Sequence, residues 1–163
     1  MKRTLIALLL AGCIHPGKAT RQERLDTASE ERVRYCDGDV ESTLEKIRQD
    51  IHSTEPLYAR LQTGPKNNNY STKLVGARLY VPSHPGLTPQ ELERMLHCHQ
   101  ARSVLGEIPA SAADPFSIPD GWIDIQVQPE RWGLVVQLRG QTAEESQLID
   151  SKAQALAAAG ERH

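Results

Sequence analysis

Aromatic side chains make up only 4% of this 163-residue chain, with one Phe, two Trp and four Tyr. A core must therefore be assembled from Leu, Val, Ile and Ala. No apolar run reaches the roughly 18 residues that a permanent membrane helix needs, which excludes a polytopic membrane protein. An excess of positive charge is also missing. A formal net charge of -2 supplies no electrostatic footprint for nucleic acid. Catalytic signatures are lacking too: GxSxG, a Walker loop, GxGxxG and HExxH do not occur. CxxCH is absent, so covalent haem is not expected. Asp37-Gly38-Asp39 lacks the alternating ligands and closing Glu of a calcium loop and reads as a turn. No cofactor is implied, and the expectation is a protein that is not an enzyme. What remains is 39% hydrophobic residues, enough for one modest domain.

The first thirteen residues carry the strongest local signal. Lys2 and Arg3 precede an apolar stretch from Thr4 to Leu10, which reads as a secretory leader too short to span as a helix. The stretch closes in Leu10-Ala11-Gly12-Cys13, which resembles the lipobox of bacterial lipoproteins. The resemblance implies a signal peptide over 1–12, cleavage before Cys13, and acyl chains on its thiol and new amino group. Several acyl chains hold a protein on a membrane, whereas a single one binds only marginally. Ile14 stands where an inner-membrane retention signal would place Asp. The resemblance therefore implies the outer membrane, with the body facing the periplasm. Removing the leader leaves 17 basic against 21 acidic residues, so the lipid, and not a polybasic patch, does the anchoring.

The mature chain divides into three stretches. Residues 13–38 form a lipidated tether with Pro16 and Gly17, followed by a highly charged segment that reads as a solvated helix or a partly disordered one. Residues 39–72 begin with Val40, Leu44, Ile47 and Ile51, a narrow apolar stripe on a helix over 40–51. That stripe either docks on the domain or offers a face to an envelope partner. Pro56 interrupts it, Leu57, Tyr58 and Leu61 read as a further helical turn, and Gly64 to Asn69 read as a loop.

The third stretch, 73–160, has the patterning of an α+β domain. Val75, Ala77, Leu79 and Val81 alternate with polar or small residues, as in a half-buried strand. Thr88-Pro89-Gln90-Glu91 has the form of a capping box opening a helix that stops near Gly106. Ile123, Ile125 and Val127 mark a second strand, and Leu134, Val136 and Leu138 a return strand. Asp124, Gln126, Gln128, Gln137 and Arg139 point to an exposed opposite face. Thr142-Ala143-Glu144-Glu145 opens a last helix through Leu148, Ile149, Ala153 and Leu156. A strand–helix–strand crossover is right-handed and parallel, and the hairpin strand inserts between its neighbours. The expectation is a two-layer split β-α-β-β-α sandwich with a three-stranded sheet in the order 1-3-2, preceded by helical material.

Cys36 and Cys98 remain once Cys13 is lipidated. In an oxidising compartment two cysteines suggest one disulfide, pinning the N-terminal helix to the domain. The rival reading leaves them as thiols for a metal. Met95, Cys98 and His99 cluster on one helix, and at about 100° per residue Met95 and His99 share a face while His97 points to water. Met, Cys and His together suit copper(I) or zinc, with Cys36 or His84 in support. A methionine and a histidine on an apolar face equally well serve packing.

The runs Gly76 to Val81, Pro85 to Thr88 and Cys98 to Arg102 resemble a group of proteobacterial envelope proteins, and the likeness continues from Ile123 to Leu156. It implies a lipoprotein domain and lends no activity. That group carries a further cysteine in the loop before the second strand. Here Ala113 to Pro119 has none; if the group's helix cysteine pairs in that loop, the resemblance implies that Cys36 takes the partner role in this chain. The expected function is a non-catalytic outer-membrane lipoprotein with a small periplasmic binding or structural domain. The alternatives are a copper- or zinc-binding lipoprotein and a lipid-binding or adaptor module.

Overall fold

The computed structural model describes residues 19–62, 70–109 and 111–160. The leader, Cys13 and the Gly64–Asn69 loop lie outside the described residues. In chain order the elements are α1 (Arg21–Tyr35), α2 (Val40–Gln49), β1 (Ser53–Gln62), β2 (Tyr70–Pro82), α3 (Pro89–Val104), β3 (Ile123–Glu130), β4 (Gly133–Gly140) and α4 (Ala143–Gly160). The fold is α+β. The strands form an antiparallel sheet in the order β1-β2-β4-β3.

The sheet differs from the expected one by a strand. The three expected strands, β2, β3 and β4, sit side by side, but the sheet has four members because β1 adds to the edge of β2. Leu57, Tyr58 and Leu61 are therefore in a strand and not in a helical turn. Leu57, Ala59 and Leu61 alternate with Tyr58, Arg60 and Gln62, a period of two that two or three apolar residues spaced like a helix turn conceal. Pro56 is compatible with this place because an edge strand has ladder positions where no N–H is needed. α2 and β1, both from the 39–72 stretch, share the core and the sheet of the third stretch.

Inward residues of the sheet, among them Leu79, Val81, Ile123, Ile125, Val136 and Leu138, join one core with Leu92, Met95 and Leu96 of α3 and Ile149 and Ala153 of α4. α2 touches both α3 and α4 and contributes Val40, Leu44 and Ile47 to that core. Of the two outcomes open to the apolar stripe on helix 40–51, docking on the domain is the one seen, since the stripe is buried. Of the two readings for the charged segment, α1 is the helix, with most of its residues exposed. It packs along α3, and Ala28 is fully buried against it. On the open side of the sheet Asp124, Gln126, Gln128 and Arg139 are exposed as expected. Gln137 is the exception at 8% exposure. It occupies the central strand, where its amide donates to Gln128 (3.4 Å) and accepts from Arg139 (3.2 Å).

Local chemistry sets the element ends. Thr88 Oγ1 accepts from the Glu91 amide at 3.1 Å, but Glu91 turns its carboxylate to Arg94 (2.7 Å) and does not close the box. Thr142 and Glu145 do close theirs, at 3.1 Å in each direction. At the other end of α3, Gly106 donates to Ser103 and Glu107 to Arg102, a Schellman pairing that needs the positive φ of Gly106.

Gly76 is required for a different reason. It lies beside the register shift of the β1–β2 pair, and a Cβ built on it would stand 1.8 Å from the Leu138 carbonyl oxygen of β4. Gly76→Ala must open the β2–β4 ladder. We expect it to lower unfolding free energy by about 3 kcal/mol, the upper part of the ordinary overpacking range, as read by urea unfolding. An unchanged midpoint would contradict this close approach.

Candidate functional site

Two places concentrate polar chemistry. The first is built from α1, α2, α3 and the 111–121 loop, the second from α1, α3, α4 and the same loop. The first is the seam between α1 and α3. Cys36 ends α1 and Cys98 faces it from mid-α3, and the two form a disulfide with their Cα atoms 4.9 Å apart. Around it the Tyr35 and His97 rings stack at 5.1 Å, His97 Nδ1 lies 3.2 Å from a Glu31 carboxylate oxygen, and Arg94 donates to the Tyr35 carbonyl at 2.6 Å. His97 thus faces α1 and not open water, which corrects the helical-wheel reading. That reading considered α3 alone and could not include a second helix laid against its outer side.

Next to the seam lies a buried ionic cluster. His99 is inward, as expected, and each ring nitrogen meets a carboxylate: Nδ1 is 2.7 Å from Glu41 Oε2, and Nε2 is 2.7 Å from Asp114 Oδ2. Arg48 Nη2 donates to Asp114 Oδ1 at 2.9 Å and sits 2.8 Å from His99 Nε2, so one carboxylate bridges the guanidinium and the imidazole. The Phe116 amide (3.0 Å) and the Ser117 hydroxyl (3.0 Å) complete the acceptor positions of Asp114. Burial pushes the Asp114 carboxyl up, but the His99 hydrogen bond, the Arg48 guanidinium and the Phe116 amide outweigh it and hold it below the ordinary value. Ser117 points its hydroxyl to the carboxylate rather than to the imidazole, which is not the geometry that activates a serine. The cluster ties α2, α3 and the loop together.

The three residues of the metal reading are engaged in other ways. Cys98 has no thiolate, since its sulfur is bonded to Cys36. His99 has both nitrogens occupied by carboxylates, and Met95 packs in the core at 3% exposure. His84 shares a cavity wall with Met95 but lies 3.4 Å from Asp50, away from His99. Among the described residues no group of three His, Cys, Asp or Glu side chains is placed to hold a metal ion.

The second place is a cavity of about 510 Å³. Leu25 of α1, Val104 of α3, Ile118 of the loop and Leu148 of α4 give it apolar walls. Its charged lining consists of Arg21, Arg24, Asp120 and Lys152. Lys152 is 7% exposed, and its ammonium donates to the carbonyls of Ser117 (2.9 Å) and Ser111 (3.2 Å). Burial pushes its pKa down, and the nearby Asp114 charge partly offsets this. At the rim Arg24 Nη1 donates to the Ala19 carbonyl at 2.7 Å, while its Nη2 is 3.9 Å from the outward-pointing Asp120.

Sequence reasoning passed over Glu41, Arg48, Asp114 and Lys152. Lys152 left a usable trace: it falls three residues after Ile149 and four before Leu156, on the apolar stripe of α4. Asp114 stands in a loop among Pro115, Phe116 and Ile118, which foreshadows burial but names no partner.

The chain matches no protein-family model, no curated protein and no solved structure. Its own residues carry the functional argument.

Proposed function

We propose that this protein is a lipid-anchored envelope protein whose α+β domain binds a ligand, held on the periplasmic side of the outer membrane through Cys13. The observation that carries the reading is the Cys36–Cys98 disulfide, which belongs to an oxidising compartment. Such a compartment is where a leader ending in Leu10-Ala11-Gly12-Cys13 would deliver the chain. Among the described residues no helix is long and apolar enough to cross a membrane, so membrane attachment by this route relies on the acyl chains. Of the binding alternatives, a small-ligand site is favoured over a helix-mediated adaptor. The stripe on α2 is already buried, whereas the cavity beside Lys152 is open to a ligand.

Fractionation of a proteobacterial host tests the anchor. Wild-type chain should sediment with outer membranes and incorporate labelled palmitate, and Cys13→Ala should move to the soluble periplasmic fraction without label. A Cys13→Ala chain that still sediments with membranes would remove the anchor from the proposal.

A further inference from the structure

We propose that the cavity enclosed by α1, α3, α4 and the 111–121 loop binds an anionic amphiphile, a carboxylate head on an alkyl chain, with Lys152 receiving the head. Its volume of about 510 Å³ is within the range of small-molecule sites. The apolar walls formed by Leu25, Val104, Ile118 and Leu148 suit an alkyl chain and not a fully hydrated ion.

The charges select the sign of the head. An ammonium has three N–H donors, and among the described residues two carbonyls accept from Lys152. No carboxylate forms an ion pair with it there. Asp114, the acid whose charge reaches it, is held by His99 and Arg48. A cation this buried is costly unless an anion or a full set of acceptors compensates it, and a bound carboxylate would supply both. Arg21 and Arg24 add two positive charges at the α1 side, against Asp120, whose side chain is 85% exposed. The site is cationic in balance and its deepest charge has a donor to offer.

Location gives a source for such a ligand. Arg21 follows Cys13 by eight residues, which span at most about 28 Å when extended. An acylated Cys13 would therefore keep the α1 side of the cavity near a bilayer surface, where anionic amphiphiles are found. This last argument rests on the anchor proposed above. The volume, walls and charges do not.

Isothermal titration of the full chain carrying Cys13→Ala, with dodecanoate kept below its micellar concentration, tests the site. We expect one molecule bound per chain, and at least tenfold weaker binding in Lys152→Met. Because Lys152 is buried, Lys152→Met could unfold the domain, so Leu148→Glu provides a second variant at a partly exposed wall position. It sets a like charge beside the ligand and should also weaken binding at least tenfold while circular dichroism stays unchanged. Dodecyltrimethylammonium, acetate and inorganic phosphate should bind at least tenfold more weakly than dodecanoate. The proposal is overturned if dodecanoate does not bind, if any of those three probes binds as tightly, or if folded Lys152→Met or Leu148→Glu binds as tightly as the parent. These outcomes are independent of the fractionation result, so a failed anchor and a failed site remain distinguishable.

Discussion

Asp114→Ala is expected to lower the unfolding free energy by about 3–5 kcal/mol, the range for removing one partner of a buried ion pair. The substitution leaves the Arg48 guanidinium and the His99 imidazole facing each other at 2.8 Å with no anion between them. It also strands the Phe116 amide and the Ser117 hydroxyl. Urea unfolding followed by circular dichroism reads the loss. Asp114→Asn keeps the shape and removes the charge, so it supplies the pH test. The folded-state pKa of Asp114 lies below its ordinary value near 3.8. Its stabilising contribution is therefore complete above about pH 4 and is lost as pH falls through the lower folded-state value. The stability gap between wild type and Asp114→Asn should be constant from pH 5 to 7 and shrink below pH 4. A gap that is the same at pH 3 and pH 7 would show that the carboxylate charge is not what holds the cluster.

Replacing both Cys36 and Cys98 by serine should cost about 4 kcal/mol, the chain-entropy value for a bond closing a separation of 62 residues. The effect should appear as a lower urea midpoint in the double variant, and the same shift should follow addition of a reductant to wild type. Because α1 meets the rest chiefly through α3, its amides should lose hydrogen-exchange protection before those of the sheet. Retention of α1 protection in the double variant would mean that the Tyr35–His97 stack and the Arg94 contact suffice for docking.

The sequence was most readable where one period ran without interruption. Ile123, Ile125 and Val127 alternate over a strand buried on one face, and Thr142 with Glu145 marks a helix start by its side-chain chemistry alone. β1 was hidden because its inward positions are few, Pro56 opens them, and an edge strand has a neighbour on one side only. The pairing of Cys36 with Cys98 could be reasoned from compartment and number, but the site around it could not. Glu41, Arg48 and Asp114 come from three separate segments, and nothing in the local pattern of any one of them indicates that His99 is their common partner. Lys152 was legible in principle, since a lysine on an apolar stripe must find acceptors. Those acceptors proved to be backbone carbonyls of a loop, which carry no side-chain signature at all.

The bond between α1 and α3 also decides how the molecule carries tension. A pull entering at the N-terminal end runs along α1 to Cys36, crosses to Cys98 and continues through α3. α2, β1 and β2 lie between the two cysteines and are bypassed. The 62-residue separation stays looped out, withholding about 200 Å of extension that an uncrosslinked chain would release. A domain tethered at this end would therefore yield by separating α1 from α3 only as far as the crosslink, with the β1–β2 hairpin outside the line of force.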